Sequence, residues 1–142
     1  MKTIEVVAAI IINEKKLFIA ERGYGNWKGY YELPGGKIEP GETKEEALRR
    51  EISEELDTEV NVGDFITTIE YDYTEFLLTM HCYQCTIQNG TLELLEHSAS
   101  KWVTSEELLH VKWLPADELL IETLQRLLEK EEHRNKKTKE IL

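Results

Sequence analysis

Cysteine, basic charge and long apolar runs are all scarce in this chain, and each scarcity narrows what it can do. Only two cysteines occur in 142 residues, Cys82 and Cys85. Their Cys-x-x-Cys spacing is half of a zinc site, but no second Cys/His pair at metal spacing completes a tetrahedral set. They lie in a strand-like run, where an odd spacing sends the two side chains to opposite faces, so both read as structural. No apolar run approaches the roughly 18 residues of a membrane span. Charged residues follow the apolar stretch 4–12 and no small-residue cleavage site is evident, so a buried strand is expected there, with no signal peptide and a cytoplasmic location. Lys and Arg number 17 against 28 Asp and Glu, a net charge of −11. That balance disfavours nucleic acid polymers and anionic membranes as partners. A small polyanion stays within reach if metal ions supply positive charge locally.

What is present reads as mixed α/β. Residues 4–12 and 17–20 have the β-branched, apolar character of strands, separated by the polar turn Asn13-Glu14-Lys15-Lys16. A loop over 22–29 carries Gly23, Gly25, Gly29 and a Trp27 that looks exposed. Residues 30–33 form a short extended piece stopped by Pro34-Gly35-Gly36. Strands are expected over 59–69 and 75–88, around a turn at 71–74, and Asn89-Gly90 signals a hairpin into a strand at 91–95. A short strand at 101–103 precedes Thr104-Ser105-Glu106-Glu107, a capping-box pattern that opens a short helix. Pro115-Ala116-Asp117 then leads into an amphipathic helix to about residue 130, with Leu119, Leu120, Leu124, Leu127 and Leu128 on its apolar side. One domain is expected over 1–130, followed by a frayed charged tail over 131–142.

The most informative segment is the helix expected from Thr43 onward. Thr43-Lys44-Glu45-Glu46 matches a capping box, and Ala47, Leu48, Ile52 and Leu56 make an apolar stripe at helical spacing. Glu51, Glu54 and Glu55 fall off that stripe, towards one edge, where neighbouring Cβ atoms lie about 5–6 Å apart. Like charges so crowded weaken a helix unless something neutralises them. An acidic helix face is most often solvent-facing. Here the carboxylates are not interleaved with lysines, a glycine-rich turn lies upstream where backbone can approach a ligand, and Glu42 sits where it can fold back on the cluster.

These residues resemble the Nudix box, G-x5-E-x7-R-E-U-x-E-E-x-G-U, where U is a bulky aliphatic. Gly36, Glu42, Arg50, Glu51, Ile52, Glu54 and Glu55 match it. Asp57 stands for the last glycine and Thr58 for the last aliphatic. Asp tolerates the left-handed conformation common at a helix C-terminus, so the turn is expected to survive. The resemblance extends over roughly residues 3–130. Tyr31-Glu32-Leu33-Pro34-Gly35-Gly36 is similar to the W-E-F-P-G-G strand of the triphosphate-cleaving branch. Glu96 precedes Trp102 at the spacing of a further acidic residue, and Pro115-Ala116-Asp117 matches a Pro-Ala-Asn/Asp step. The look is that of the MutT-like and CTP pyrophosphohydrolase subgroup.

The resemblance implies an α/β/α sandwich, an α+β fold with a mixed central sheet between helices. It also implies a hydrolase that uses Mg²⁺ or Mn²⁺ to cleave a nucleoside diphosphate linked to another group. Glu51, Glu54, Glu55 and Glu96, with the Gly36 carbonyl, are the implied metal ligands. Arg50 is implied to brace the cluster by pairing with Glu42 or Glu54. Glu51, Glu54 and Glu96 all remain open as the group that takes the proton from water. Arg22 and Lys37 are candidates for phosphate contact, each weighed against a surface role. Tyr31, Phe76, Leu78 and Met80 are candidates for the base pocket, although alternation turns half of a strand to the core. Asp117 either caps a helix or reads the base, accepting from a cytosine amino group or from the N7 hydrogen of an oxidised guanine. His81 and His97 are assigned no role.

The expected reaction converts a (d)NTP to the monophosphate and pyrophosphate, CTP-like or modified pyrimidines slightly ahead of 8-oxo-dGTP, in nucleotide-pool sanitation. An ADP-ribose substrate is weakened by the absence of proline between Pro40 and Pro115. Tyr73 lies near, not at, the position associated with dinucleoside polyphosphates. A non-catalytic nucleotide-binding module is the least favoured reading, because no box carboxylate is missing. A monomer or homodimer is expected.

Overall fold

The apolar run near the N-terminus forms a long strand, β1 (Lys2–Asn13), in a computed structural model of the protein that describes residues 1–90, 92 and 99–141. The chain reverses through Glu14 and Lys15, both at positive φ, into β2 (Lys16–Glu21). Two short strands follow, β3 (Tyr31–Glu32) and β4 (Gly35–Lys37), then helix α1 (Lys44–Leu56). β5 (Glu59–Asp72) and β6 (Phe76–Asn89) form a long hairpin, and β7 (Ala99–Val103) leads to a 3-10 turn, Glu107–His110. Helices α2 (Pro115–Glu118) and α3 (Ile121–Ile141) follow. The sheet order is β3-β2-β1-β6-β5, with β4 also on β1 and β7 also on β2. β1 and β6 run parallel from the Lys2–Phe76 pair to Ile11–Cys85, and the other strand pairings are antiparallel. This is the mixed sheet that the resemblance implied.

Alternation along β1 feeds two separate cores. Val7, Ala9 and Ile11 meet Ala47, Leu48, Ile52 and Leu56 of α1 on one face. Ala8 and Ile10 meet Leu120, between the two C-terminal helices, and Leu124 and Leu128 of α3 on the other. Each fully buried Leu or Ile contributes about 1.5–3 kcal/mol, so the sheet is held between helices from both sides. Cys82 and Cys85 fall into different cores, as their odd spacing requires. Burial pushes both thiols up to about 12, which leaves them inert.

Helix α1 starts and stops as its sequence dictates. Thr43 Oγ1 accepts from Glu46 N–H at 3.1 Å, and the Glu46 carboxylate accepts from Thr43 N–H at 3.1 Å. At the other end Asp57 adopts the left-handed conformation (φ 48°, ψ 43°), its N–H donating to Ser53.

Three local expectations change. The segment after Pro115 is two helices, because Leu119 N–H turns back to Ala116 and Asp117 before the chain restarts at Ile121. Leu119 is therefore exposed (54%) and Leu120 takes the buried place. The helix continues to Ile141, well past the expected end near residue 130. Trp27 is half-buried, packed edge-on against Tyr30 and Tyr73. The strand expected at 91–95 lies outside the described residues, apart from Leu92. No helix among the described residues is long and apolar enough to cross a membrane.

Candidate active site

The sheet carries a cavity of about 900 Å³ bordered by β1, β4, β6, the loop over 22–27 and the start of α2. Its two ends have different chemistry. At one end are Gly36, Lys37 and Glu51; at the other are Asp117, Arg22, Tyr73, Phe76 and Leu78.

Arg50 organises the acidic end. Its Nε and Nη2 grip both oxygens of Glu42 at 2.7 and 2.9 Å, its Nη1 reaches Glu51 at 3.0 Å and Glu54 at 3.2 Å, and Nη2 also donates to the Lys37 carbonyl at 3.0 Å. The sequence offered Glu42 or Glu54 as its partner; the guanidinium takes both, and Glu51 besides. The bidentate bond to Glu42 is the largest cause raising the Arg50 pKa, and it lowers that of Glu42 in return. Ile52 is fully buried under the helix and fixes the rotation that presents this edge.

The three box glutamates do not share one environment. Glu54 is exposed and Glu51 is partly covered. Glu55 is buried at 2% exposure, which corrects the expectation that all three lie off the buried face. A helical separation of one residue turns Glu55 by about 100° from Glu54, far enough to carry it inward. Among the described residues no three Asp, Glu, His or Cys side chains already converge as a metal cage. Yet the donor set fits a hard cation, because carboxylate and carbonyl oxygens are what such ions take. Gly36 adds a direct observation: a Cβ there would run into the Glu51 carboxylate, so only glycine lets that carboxylate approach the β4 backbone. Gly35 is similarly constrained, since a side chain would collide with the Val7 carbonyl across the β1–β4 pairing. Glu96 lies outside the described residues.

The opposite end is built by backbone bonds that join distant segments. Tyr31 N–H donates to Lys112 and Leu114 N–H donates to Tyr31, so residues 112–114 run beside β3. That docking places Asp117 under Leu33, whose N–H donates to Asp117 Oδ2 at 2.9 Å. Asp117 is not a cap: Leu114 holds the N-cap position of α2 and Pro115 begins the helix. Its carboxyl is buried (3% exposed) yet borders the cavity. Burial pushes its pKa up to about 7, the Glu32 charge adds to the rise, and Leu33 N–H and Arg22 oppose it. Arg22 makes a bidentate pair with Glu32, both contacts at 2.8 Å, while lining the cavity. The salt bridge set against substrate contact for Arg22 is present, and it leaves the side chain on the cavity wall.

Phe76, Leu78 and Met80 point to the cavity from alternate positions of β6, as expected for one face. Tyr31 does not line it. Alternation with Glu32 turns Tyr31 away, to a 3.4 Å hydrogen bond with Glu21 and a stack under Lys101. Lys37 is exposed at the cavity rim. His81 lies between Thr68 (2.8 Å) and Glu5 (2.6 Å), a bond set that ties β5 and β1 to β6. Sequence reasoning missed Trp27, Tyr73 and Glu32 as cavity residues. The aromatic crowding of Tyr71, Tyr73 and Phe76 around a tight turn was the available signal for Tyr73.

Known proteins resemble this chain along nearly its whole length. A NUDIX domain model matches residues 2–138. The CTP pyrophosphohydrolase of Escherichia coli K12 is 38% identical over 128 residues, spanning 89% of this chain and 95% of that protein. The 8-oxo-dGTP diphosphatase of the same strain is 30% identical over 129 residues, spanning 89% of this chain and all (100%) of its own. Among solved structures, that of the E. coli ORF135 protein superposes with a TM-score of 0.77 at 37% identity, covering 89% of this chain and 91% of that one. The MutT protein of Methanosarcina mazei Go1 superposes at 0.75 with 27% identity, covering 92% and 96%.

Proposed function

The chain belongs to the NUDIX family of hydrolases, and from that premise we propose that it is a nucleoside triphosphate pyrophosphohydrolase. It adds water across the anhydride between the α and β phosphates and releases a nucleoside monophosphate and pyrophosphate. Cytosine nucleotides and modified pyrimidines are the proposed preference, and the cytoplasmic nucleotide pool the proposed setting. The observation that carries this reading is a single cavity with a carboxylate end and an aromatic, hydrogen-bonding end.

NUDIX hydrolases work with a divalent metal, and here we propose Mg²⁺, with Mn²⁺ as a substitute. Glu51, Glu54, Glu55 and the Gly36 carbonyl would hold it, with Glu96 as a further ligand. Such an ion offsets phosphate charge and makes water a better nucleophile. The chain's own groups do the rest. Arg50 keeps Glu42, Glu51 and Glu54 in one arrangement, and its bond to the Lys37 carbonyl fixes the strand that carries Gly36. Lys37 at the rim meets the polyphosphate as a point charge. Arg22, held flat by Glu32, presents its remaining N–H donors towards substrate. Phe76, Leu78 and Met80 offer an apolar wall to the base, and Asp117 reads its edge. As a carboxylate it accepts from an amino group, which suits cytosine.

The identity to 8-oxo-dGTP diphosphatases supports a second substrate, oxidised guanine, whose N7 hydrogen meets the same acceptor. The test is turnover of a panel including CTP, dCTP, 5-substituted pyrimidine triphosphates, 8-oxo-dGTP and ADP-ribose, with products separated by anion exchange. Monophosphate plus pyrophosphate, fastest with cytosine nucleotides, is the expected result. Release of orthophosphate, or no turnover of any triphosphate, overturns the reading.

A further inference from the structure

Tyr73 has no part in the family motif, yet it links the two segments that make the base end. It sits at the β5–β6 turn, where Thr74 takes a left-handed conformation (φ 71°) and Asp72 accepts from Thr74 N–H at 2.7 Å. That turn puts the Tyr73 ring parallel to Phe76, centroids 5.2 Å apart and planes 25° apart, with Trp27 edge-on at 6.0 Å. The hydroxyl oxygen then accepts from Ala116 N–H at 3.0 Å, 43 residues away in sequence.

Helix α2 requires such an acceptor. The first amides of a helix have no partner within it. Leu114, at the N-cap, has no side-chain acceptor, and Pro115 has no N–H. Ala116 is thus the first amide that needs a bond, and Asp117 is the next residue. The phenol supplies from a hairpin what a cap residue normally supplies from the adjacent position. Accepting from Ala116 leaves the Tyr73 hydroxyl hydrogen to be given elsewhere. Among the described residues no acceptor takes it, and the side chain lines the cavity. Burial pushes the phenol up to about 12, so that hydrogen is present throughout the working pH range.

We infer that Tyr73 is a specificity-determining residue: its ring extends the stacking wall of Phe76, and its hydroxyl, held in place by Ala116 N–H, donates a hydrogen bond to an acceptor on the nucleobase edge that Asp117 reads. The base end then presents a donor and an acceptor side by side, joined through one peptide unit. A base is matched only when it offers the complementary pair. The inference rests on the reading of this end of the cavity as the nucleobase site.

The test is steady-state kinetics of Tyr73→Phe, which keeps the ring and removes only the hydroxyl, with methyl triphosphate as a base-free control. Loss of one neutral hydrogen bond corresponds to roughly a three- to tenfold change. KM for the preferred nucleotide is expected to rise by about that factor, with kcat within about twofold and the ranking among bases compressed. Methyl triphosphate hydrolysis should not change. Loss of the Ala116 bond lowers the Tm in either case; a purely structural role would in addition slow every substrate alike, the control included, and that result overturns the inference. So does an unchanged KM ratio between bases. Asp117→Asn and Phe76→Ala, measured beside it, separate the two levels. If they alter base preference while Tyr73→Phe does not, the role of Tyr73 fails and the base site stands. If none of the three alters it, the base-site reading fails as well.

Discussion

Replacing Asp117 by Asn should stabilise the protein at alkaline pH and do almost nothing near pH 4. The carboxyl of Asp117 is buried beneath Leu33, and desolvation, helped by Glu32, raises its pKa from 3.8 to about 7. Arg22 and Leu33 N–H pull the other way without cancelling it, and Tyr73 and Cys82 are the remaining titratable groups that sense its charge. A raised acid pKa means the folded protein binds a proton that the unfolded chain has released. Stability from this group is therefore full below about pH 4 and declines as pH climbs to about 7. At about 1.36 kcal/mol per pH unit, a rise from 3.8 to about 7 sets a ceiling near 4 kcal/mol. Water reaching the carboxyl from the open cavity brings the expected figure to about 1–3 kcal/mol. Asn keeps an acceptor for Leu33 N–H but never ionises. Urea unfolding at pH 4, 5, 6, 7 and 8, followed by the fluorescence of buried Trp113, gives the difference between variant and wild type directly. That difference should grow with pH and level off above about 7. Parallel curves from pH 4 to 8 would refute the argument, because they would mean that Asp117 titrates alike in both states.

Glu54→Gln should lower kcat by more than about tenfold while leaving the unfolding midpoint unchanged or slightly raised, since the side chain is exposed and its charge adds to a crowded edge; wild-type turnover would remove Glu54 from the metal site. Asp57→Val should cost about 1–2 kcal/mol, measured by thermal unfolding, because the helix ends there at φ 48° and a β-branched residue resists that conformation.

Local signals were readable wherever the chemistry itself is local. The Thr43–Glu46 cap and the left-handed Asp57 depend on residues within one turn, and both appear as their side chains require. The apolar run at 4–12 and the stripe of α1 pointed to a sheet between helices, and the α/β/α sandwich was what the family resemblance implied. What stayed hidden depends on distant segments. Whether Glu55 faces water or the interior is decided by how α1 rolls against the sheet. Tyr31 was misjudged because β3 is only two residues long, too short for its own pattern to show which neighbour faces the cavity. A cap role stayed open for Asp117 because the sequence does not show the docking of 112–114 beside Tyr31, which sets where α2 begins. Tyr73 reaches Ala116 across a separation no sequence window spans.

The residues Val6, Val7 and Ala8 of β1 pair with Lys37, Gly36 and Gly35 on one side and with Met80, His81 and Cys82 on the other. Backbone bonds alone therefore set the span between the carboxylate end and the base wall. The side chains that would choose the base project from one face of β6, from the hairpin tip and from α2, and take no part in the backbone bonds of that ladder. The protein is in this sense a ruler with an exchangeable reading head. On the proposed reading, substitution at Tyr73, Phe76 or Asp117 would alter base preference without moving the point at which the anhydride would be cut.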